Sequence, residues 1–261
     1  MMRIMDQKKC DPRMHDVTHT SATDELRIGT WLSLGSPVVA ELAALCGVAW
    51  VLLDLEHGSG SEADLPAQLR GLRGSGTQGI VRVAGLDAAQ IGRVLDQGAH
   101  GIMVPHVNSA AEAREIVMAA AYPPRGRRGF SRTVRAHDYG LRSTDTTPPP
   151  LLVAQIETAA AVAEAGAIAE VDGIDMLFVG PADLERDLAG QPPGKFPDFE
   201  TCVARVATAA RAAGKAAGIL VRNPADLPLR QRQGFSLIAI QSDVALLRDA
   251  FRGIVAAAQA R

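Results

Sequence analysis

Eight short aliphatic runs, most opened or shortly preceded by glycine, alternate along the chain with alanine-rich stretches of helical spacing. The runs lie near Gly29–Leu34, Trp50–Leu55, Gly79–Val83, Gly101–Val104, Leu151–Ile156, Met176–Val179, Ala216–Leu220 and Leu237–Ile240. They are brief and do not alternate with polar residues, the pattern of strands buried on both faces under covering helices. Between them, stretches such as Ala110–Ala121 and Thr158–Glu170 repeat apolar residues every three or four positions. A weak repeat reinforces the pattern: CGVAWVLLD, QGAHGIMVP, VDGIDMLFVG and QGFSLIAIQ each set a glycine before a buried strand, as an αβ loop requires. Eight such units admit a closed barrel or a doubly wound sheet. No GxGxxG follows the first run, which disfavours a dinucleotide-binding sheet. The expected fold is therefore an α/β (β/α)8 TIM barrel.

At 261 residues the chain is slightly longer than the roughly 250 of one such barrel, so a single domain over 26–261 is expected. Residues 1–25, polar and charged and including His15 and His19, read as a flexible tail without a secretory h-region. A net charge of −2 leaves no basic excess for phosphates, which argues against a nucleic-acid partner. No apolar run reaches the roughly 20 residues of a membrane helix. Cys10, Cys46 and Cys202 are far apart with no CxxC pair, which fits a reducing compartment and a cytoplasmic location. Two stretches break the rhythm, Tyr122–Pro150 and Leu188–Pro197, and either is long enough to cover an active site.

Active sites of these barrels lie at the C-terminal ends of the strands. Four ends carry polar groups: Asp54, Glu56 and His57 after the second run, Arg82 in the third, Gln155 and Glu157 after the fifth, and Asp183 after the sixth. A lone carboxylate in such a place also serves as a helix N-cap, and Asp183 before Leu184 admits that role. Several like charges at one mouth repel one another unless a cation joins them. Glu157 and Asp183 on adjacent strands offer two hard oxygen ligands without His or Cys at ligand spacing, which favours Mg²⁺ or Mn²⁺ over structural zinc. About four octahedral positions would remain for water and a chelating 2-oxo acid. His57 sits in a tight turn, where a structural histidine is the alternative. Arg82 in an apolar strand should face the mouth, since a guanidinium is seldom buried without a partner.

At these motifs the chain resembles the metal-dependent pyruvate aldolases of the HpcH/HpaI family, which includes 4-hydroxy-2-oxoheptanedioate and 2-keto-3-deoxy sugar acid aldolases. The matching segments are GTWLSLGSP, DLEHG at 54–58, VRV at 81–83, VPHVNSAAEAR at 104–114, YPPRGRRG at 122–129, QIE at 155–157, FVGPADL at 178–184 and GKAAGIL at 214–220. The resemblance implies His57 as general base, Asp96 as the residue that raises its basicity, and Arg82 as the enolate stabiliser. It implies Glu157 and Asp183 as ligands of Mg²⁺, Mn²⁺ or Co²⁺, and Gln155, Ala182, Asp183 and Arg82 as substrate contacts. It also implies a homo-oligomer, commonly a hexamer arranged as a dimer of trimers, whose C-terminal helix is exchanged between subunits. The chain departs from the family after GPADL, with Glu185-Arg186 and the segment 187–199 at the expected pocket rim.

The expected reaction is reversible cleavage of a 4-hydroxy-2-oxo acid into pyruvate and an aldehyde through a metal-bound enolate. Lys195 and Lys215 fall in a loop and before a strand, which disfavours a Schiff-base route. Claisen condensation or oxaloacetate decarboxylation through the same enolate is the catalytic alternative, since macrophomate synthase and a siderophore-pathway citrate synthase share the scaffold. A barrel that only binds a metabolite would not need His57, Glu157 and Asp183 together.

Overall fold

The structure, a computed structural model, describes residues 25–143 and 147–259. The expected tail therefore lies outside the described residues except for Glu25. Eight parallel strands close into a barrel in sequence order: β1 Arg27–Leu32, β2 Trp50–Asp54, β3 Gln78–Arg82, β4 Gly101–Val104, β5 Leu151–Ile156, β6 Met176–Val179, β7 Ala216–Val221 and β8 Leu237–Ser242. The helices are α1 Pro37–Leu45, α2 Leu65–Gly71, α3 Ala88–Asp96, α4 Ala110–Ala120, α5 Ala159–Ala169, α6 Pro181–Ala189, α7 Phe199–Ala212, α8 Leu227–Arg232 and α9 Asp243–Gln259. Closure of β8 onto β1 rules out the doubly wound sheet.

Two apolar layers follow from side chains alternating along each strand. Trp31, Trp50, Leu52, Ile80, Met103, Val153 and Phe178 fill the barrel interior. Val51, Leu53, Val81, Ile102 and Ala154 pack outward against helix residues such as Leu69, Ile116 and Val162. This parity aims the last inward positions of β2, β3 and β5 at the mouth: Asp54, Arg82 and Gln155. Helix starts are set locally, with Asp87, Ser109, Thr158 and Asp198 each accepting a first-turn N–H.

Two expectations and one alternative need correction. β1 begins two residues before Gly29, because that glycine is inside the strand rather than at its start. The Trp50 indole occupies the space a Cβ at Gly29 would fill, 2.2 Å from its nearest atom. The described residues of the Tyr122–Pro150 stretch do not cover this chain's mouth. The stretch follows α4 and leads into the start of β5, so they lie at the opposite end, where Arg135 donates to the carbonyls of Gln97 and Leu69. Asp183 is not an N-cap: Gly180 holds that position in α6, and no side chain caps the helix.

Candidate active site

Asp54, 5% exposed, organises one wall of the mouth. Its carboxylate accepts from Arg82 Nε at 2.9 Å and Nη2 at 2.8 Å, a two-point pair between neighbouring strands. It also accepts from the Trp31 indole and from the backbone N–H groups of Glu56 and His57. Burial pushes the Asp54 carboxyl up, but the bonds and charge of Arg82 with those N–H groups outweigh it and hold the pKa below the ordinary value. The Arg82 guanidinium lies 4.9 Å from the Trp31 ring centroid, and its Nη1 is 2.8 Å from Glu56 Oε2. His57 sits at the edge of this group with its ring mostly exposed, Nε2 3.7 Å from Glu56 Oε1.

Glu157 forms the opposite wall and is 1% exposed. Gln155 Nε2 donates to its Oε1 at 2.7 Å, and the N–H of His106 donates to its Oε2 at 3.0 Å. Burial pushes the Glu157 pKa up to about 6; the His106 N–H and ring pull against that, while the charges of Asp183 and Glu56 add to it. Gly180 makes room for this carboxylate, since a Cβ there would stand 2.2 Å from Glu157 Oε1. Asp183 lies in the first turn of α6, beside Ala182, where backbone N–H groups have no helical partner.

His106 was not singled out from the sequence, although it stands two residues after the β4 end, the signal used for other strands. Its φ of 53° is unusual for a residue with a side chain. That conformation aims the N–H at Glu157 and sets the ring between two acids, Nδ1 3.3 Å from Glu157 Oε2 and Nε2 3.6 Å from Glu56 Oε1. Asn108 holds the loop by donating to the His106 carbonyl and accepting from Thr158.

The structure thus brings Arg82, Gln155, Glu157, Ala182 and Asp183 to the mouth with His57. It does not bring Asp96 to His57 of the same chain. Asp96 ends α3, which runs back toward the strand starts, and it pairs with Arg128 at 2.6 Å. The carboxylates near His57 are instead Glu56 at the ring and Asp54 at the backbone.

The oxygen-rich wall fits a hard divalent cation. Gln155 Oε1, buried and without a hydrogen-bond partner among the described residues, adds a neutral oxygen beside Glu157. A carboxylate raised by burial and flanked by other acids gains most from a nearby positive charge. Among the described residues no group of three or more His, Cys, Asp and Glu forms a closed cage, so water and substrate would complete the coordination. Of the described lysines, Lys215 precedes β7 and Lys195 lies over the Phe196 ring in the α6–α7 loop. Neither stands at a strand's C-terminal end.

A closed parallel barrel with such a mouth belongs among the (β/α)8-barrel enzymes. The model of the HpcH/HpaI aldolase/citrate lyase family matches residues 27–250. A hydroxypyruvate/pyruvate aldolase of Paraburkholderia phytofirmans is 38% identical over 231 residues, spanning 85% of this chain and 88% of that one. A 2-keto-3-deoxy-L-rhamnonate aldolase of Klebsiella pneumoniae subsp. pneumoniae is 36% identical over 233 residues, spanning 87% and 86%. The crystal structure of an HpcH/HpaI family protein from Burkholderia cenocepacia J2315 matches with a TM-score of 0.84 at 34% identity, over 90% of this chain and 95% of that one. The chain belongs to the HpcH/HpaI aldolase/citrate lyase family.

Proposed function

We propose that this chain is an aldolase that reversibly cleaves a 4-hydroxy-2-oxo acid into pyruvate and an aldehyde. The observation that carries the reading is one mouth holding a buried carboxylate raised to about 6 and a guanidinium fixed at two points by Asp54. Glu157 and Asp183 would hold Mg²⁺, Mn²⁺ or Co²⁺. When bound, the cation supplies Lewis-acid polarisation of the keto group. Gln155 and the Ala182 N–H orient the 2-oxo acid, the latter at the positive end of α6. His57, exposed to the mouth, takes the 4-hydroxyl proton through a water as the C3–C4 bond breaks. Arg82 donates to the oxygen on which enolate charge develops, and its anchoring by Asp54 means it need not reorganise as that charge forms. Glu56 touches both Arg82 and His57, so proton removal and oxyanion stabilisation share one carboxylate.

The same reading takes the enzyme as a cytoplasmic homo-oligomer, a hexamer built as a dimer of trimers. What supports assembly is α9, whose Leu246, Leu247, Phe251, Ile254 and Val255 are all exposed. Among the described residues, no helix is long and apolar enough to cross a membrane.

Pyruvate alone in deuterated water tests the chemistry without the natural aldehyde. Its methyl protons should exchange in the presence of enzyme and Mg²⁺ or Mn²⁺, stop exchanging with chelator, and be unaffected by borohydride. Arg82→Ala should slow exchange roughly 10²–10³-fold, and His57→Ala should slow aldol cleavage about 10²–10⁴-fold. Pyruvate binding with no exchange above the metal-only control would overturn the reading.

A further inference from the structure

His106 has no part in the steps above, although its ring stands among the groups that take them. Its backbone is locked in place. Asn108 Nδ2 donates to the His106 carbonyl at 2.7 Å, Glu112 accepts from the Asn108 N–H, and the Val107 N–H donates to the Gln155 carbonyl on β5. A φ of 53° is costly for a residue with a side chain, and such a cost is kept where the side chain it directs is used. The ring is half-exposed to the mouth, and Nε2 makes no hydrogen bond among the described residues. Glu56 Oε1 lies 3.6 Å from it, too far for one. His57 Nε2 stands 3.7 Å from the same oxygen. Two unengaged imidazole nitrogens therefore flank Glu56 Oε1, one reaching it from the β2 end and one from the β4 end.

Aldol addition puts charge on the aldehyde oxygen. As C3 of the enolate bonds to the carbonyl carbon, the C=O π pair moves onto oxygen, which then takes a proton from His57 through water and becomes the 4-hydroxyl. Until that proton arrives the oxygen is an alkoxide near Glu56, Glu157 and Asp183, whose charges repel it. The other donors of the mouth are committed. Arg82 is held by Asp54 and Glu56 and serves the enolate oxygen, Gln155 Nε2 is given to Glu157, and the Ala182 N–H serves the oxo-acid end. We propose that His106, with its proton on Nε2, donates a hydrogen bond to the aldehyde oxygen and is a second catalytic imidazole beside His57. In cleavage the same bond holds the 4-hydroxyl oxygen as its proton leaves. This role rests on the aldolase reading above.

Glycine suits the observed φ and keeps the N–H that Glu157 accepts, so His106→Gly removes the ring alone. The probes are the Mn²⁺-loaded full chain, pyruvate and acetaldehyde, whose single polar atom is the oxygen in question. Methyl exchange of pyruvate needs no aldehyde and should stay close to the wild-type rate in His106→Gly. Addition to acetaldehyde, followed as kcat/KM, should fall roughly 10²–10³-fold, the cost of losing one oxyanion donor. His106→Asn, which tolerates the same φ and offers an amide N–H, should recover part of the loss. The rise in melting temperature on adding Mg²⁺ should survive in both variants.

Addition at the wild-type rate in His106→Gly would overturn the role. Equal loss of exchange and addition, or a lost melting response, would make the ring a support for Glu157 instead. A wild type that exchanges pyruvate but does not add acetaldehyde also counts against it, because a bare carbonyl is all that the two imidazoles need. A wild type without exchange removes the aldolase reading, and this role with it.

Discussion

Glu157 is a carboxylate placed where burial works against its charge, and that placement has a consequence for stability. Its pKa rises from an ordinary 4.5 to about 6 in the folded chain. Between those values the folded chain binds more protons than the unfolded one, so stability falls as pH rises. The contribution is fully present below about pH 4.5 and lost as pH passes about 6. In chelator, the melting-temperature difference between wild type and Glu157→Gln should shift in favour of the variant over that window. A constant offset is expected for the acceptor Gln lacks, so a pH-independent difference counts against the assignment. Adding Mg²⁺ at pH 7 should raise the melting temperature of the wild type and not of the variant. Much of this site could be read residue by residue, because Arg82, Gln155, Glu157 and Asp183 stand at or just after strand ends. The Asp54–Arg82 pair was less legible: its partners are 28 positions apart, and only the β2–β3 register sets them side by side.

At the scale of elements, the β6–α6 junction is a tight fit against the mouth. Gly180 has φ −90° and ψ 93°, which alanine tolerates, so any effect of substitution is steric. Gly180→Ala places a methyl against the Glu157 carboxylate and should displace it from Gln155. Overpacking of this kind costs about 1–3 kcal/mol. The variant should lose that stability in a urea melt and also lose its Mg²⁺-dependent stabilisation. Unchanged metal response would show that the carboxylate has room to move. β4, β5 and β6 begin and end where their apolar runs do, because their flanking residues are polar, Gly or Pro. β1 was misplaced because a glycine in sequence looks the same whether it ends a strand or makes room for an indole.

For the whole molecule, α9 is the element the single chain leaves unused. From Leu246 onward every described residue of this helix is exposed, so its apolar residues have no cover within the chain. α1 adds exposed Val38, Leu42 and Leu45. Exposed apolar surface on this scale marks an association site. Deleting residues after Asp243 should break up the proposed assembly and lower the melting temperature, while Asp243 still caps the Ser33 and Leu34 N–H groups. Light scattering of the intact chain as a monomer at micromolar concentration would contradict the assembly.

The amino-acid sequence by itself determined the barrel and the contents of four strand ends. Burial on both faces and helical periodicity are local patterns, and strand direction then assigns each terminal side chain to one end. Tertiary structure decided the rest. It turned His106 into the mouth through a backbone conformation that its residue type does not announce. It set Asp96 against Arg128 at the far end of the barrel, and it directed the described residues of the long 122–150 loop there as well. Those outcomes depend on which end of the barrel each βα or αβ connection occupies and on contacts between residues distant in sequence, neither of which a local pattern encodes.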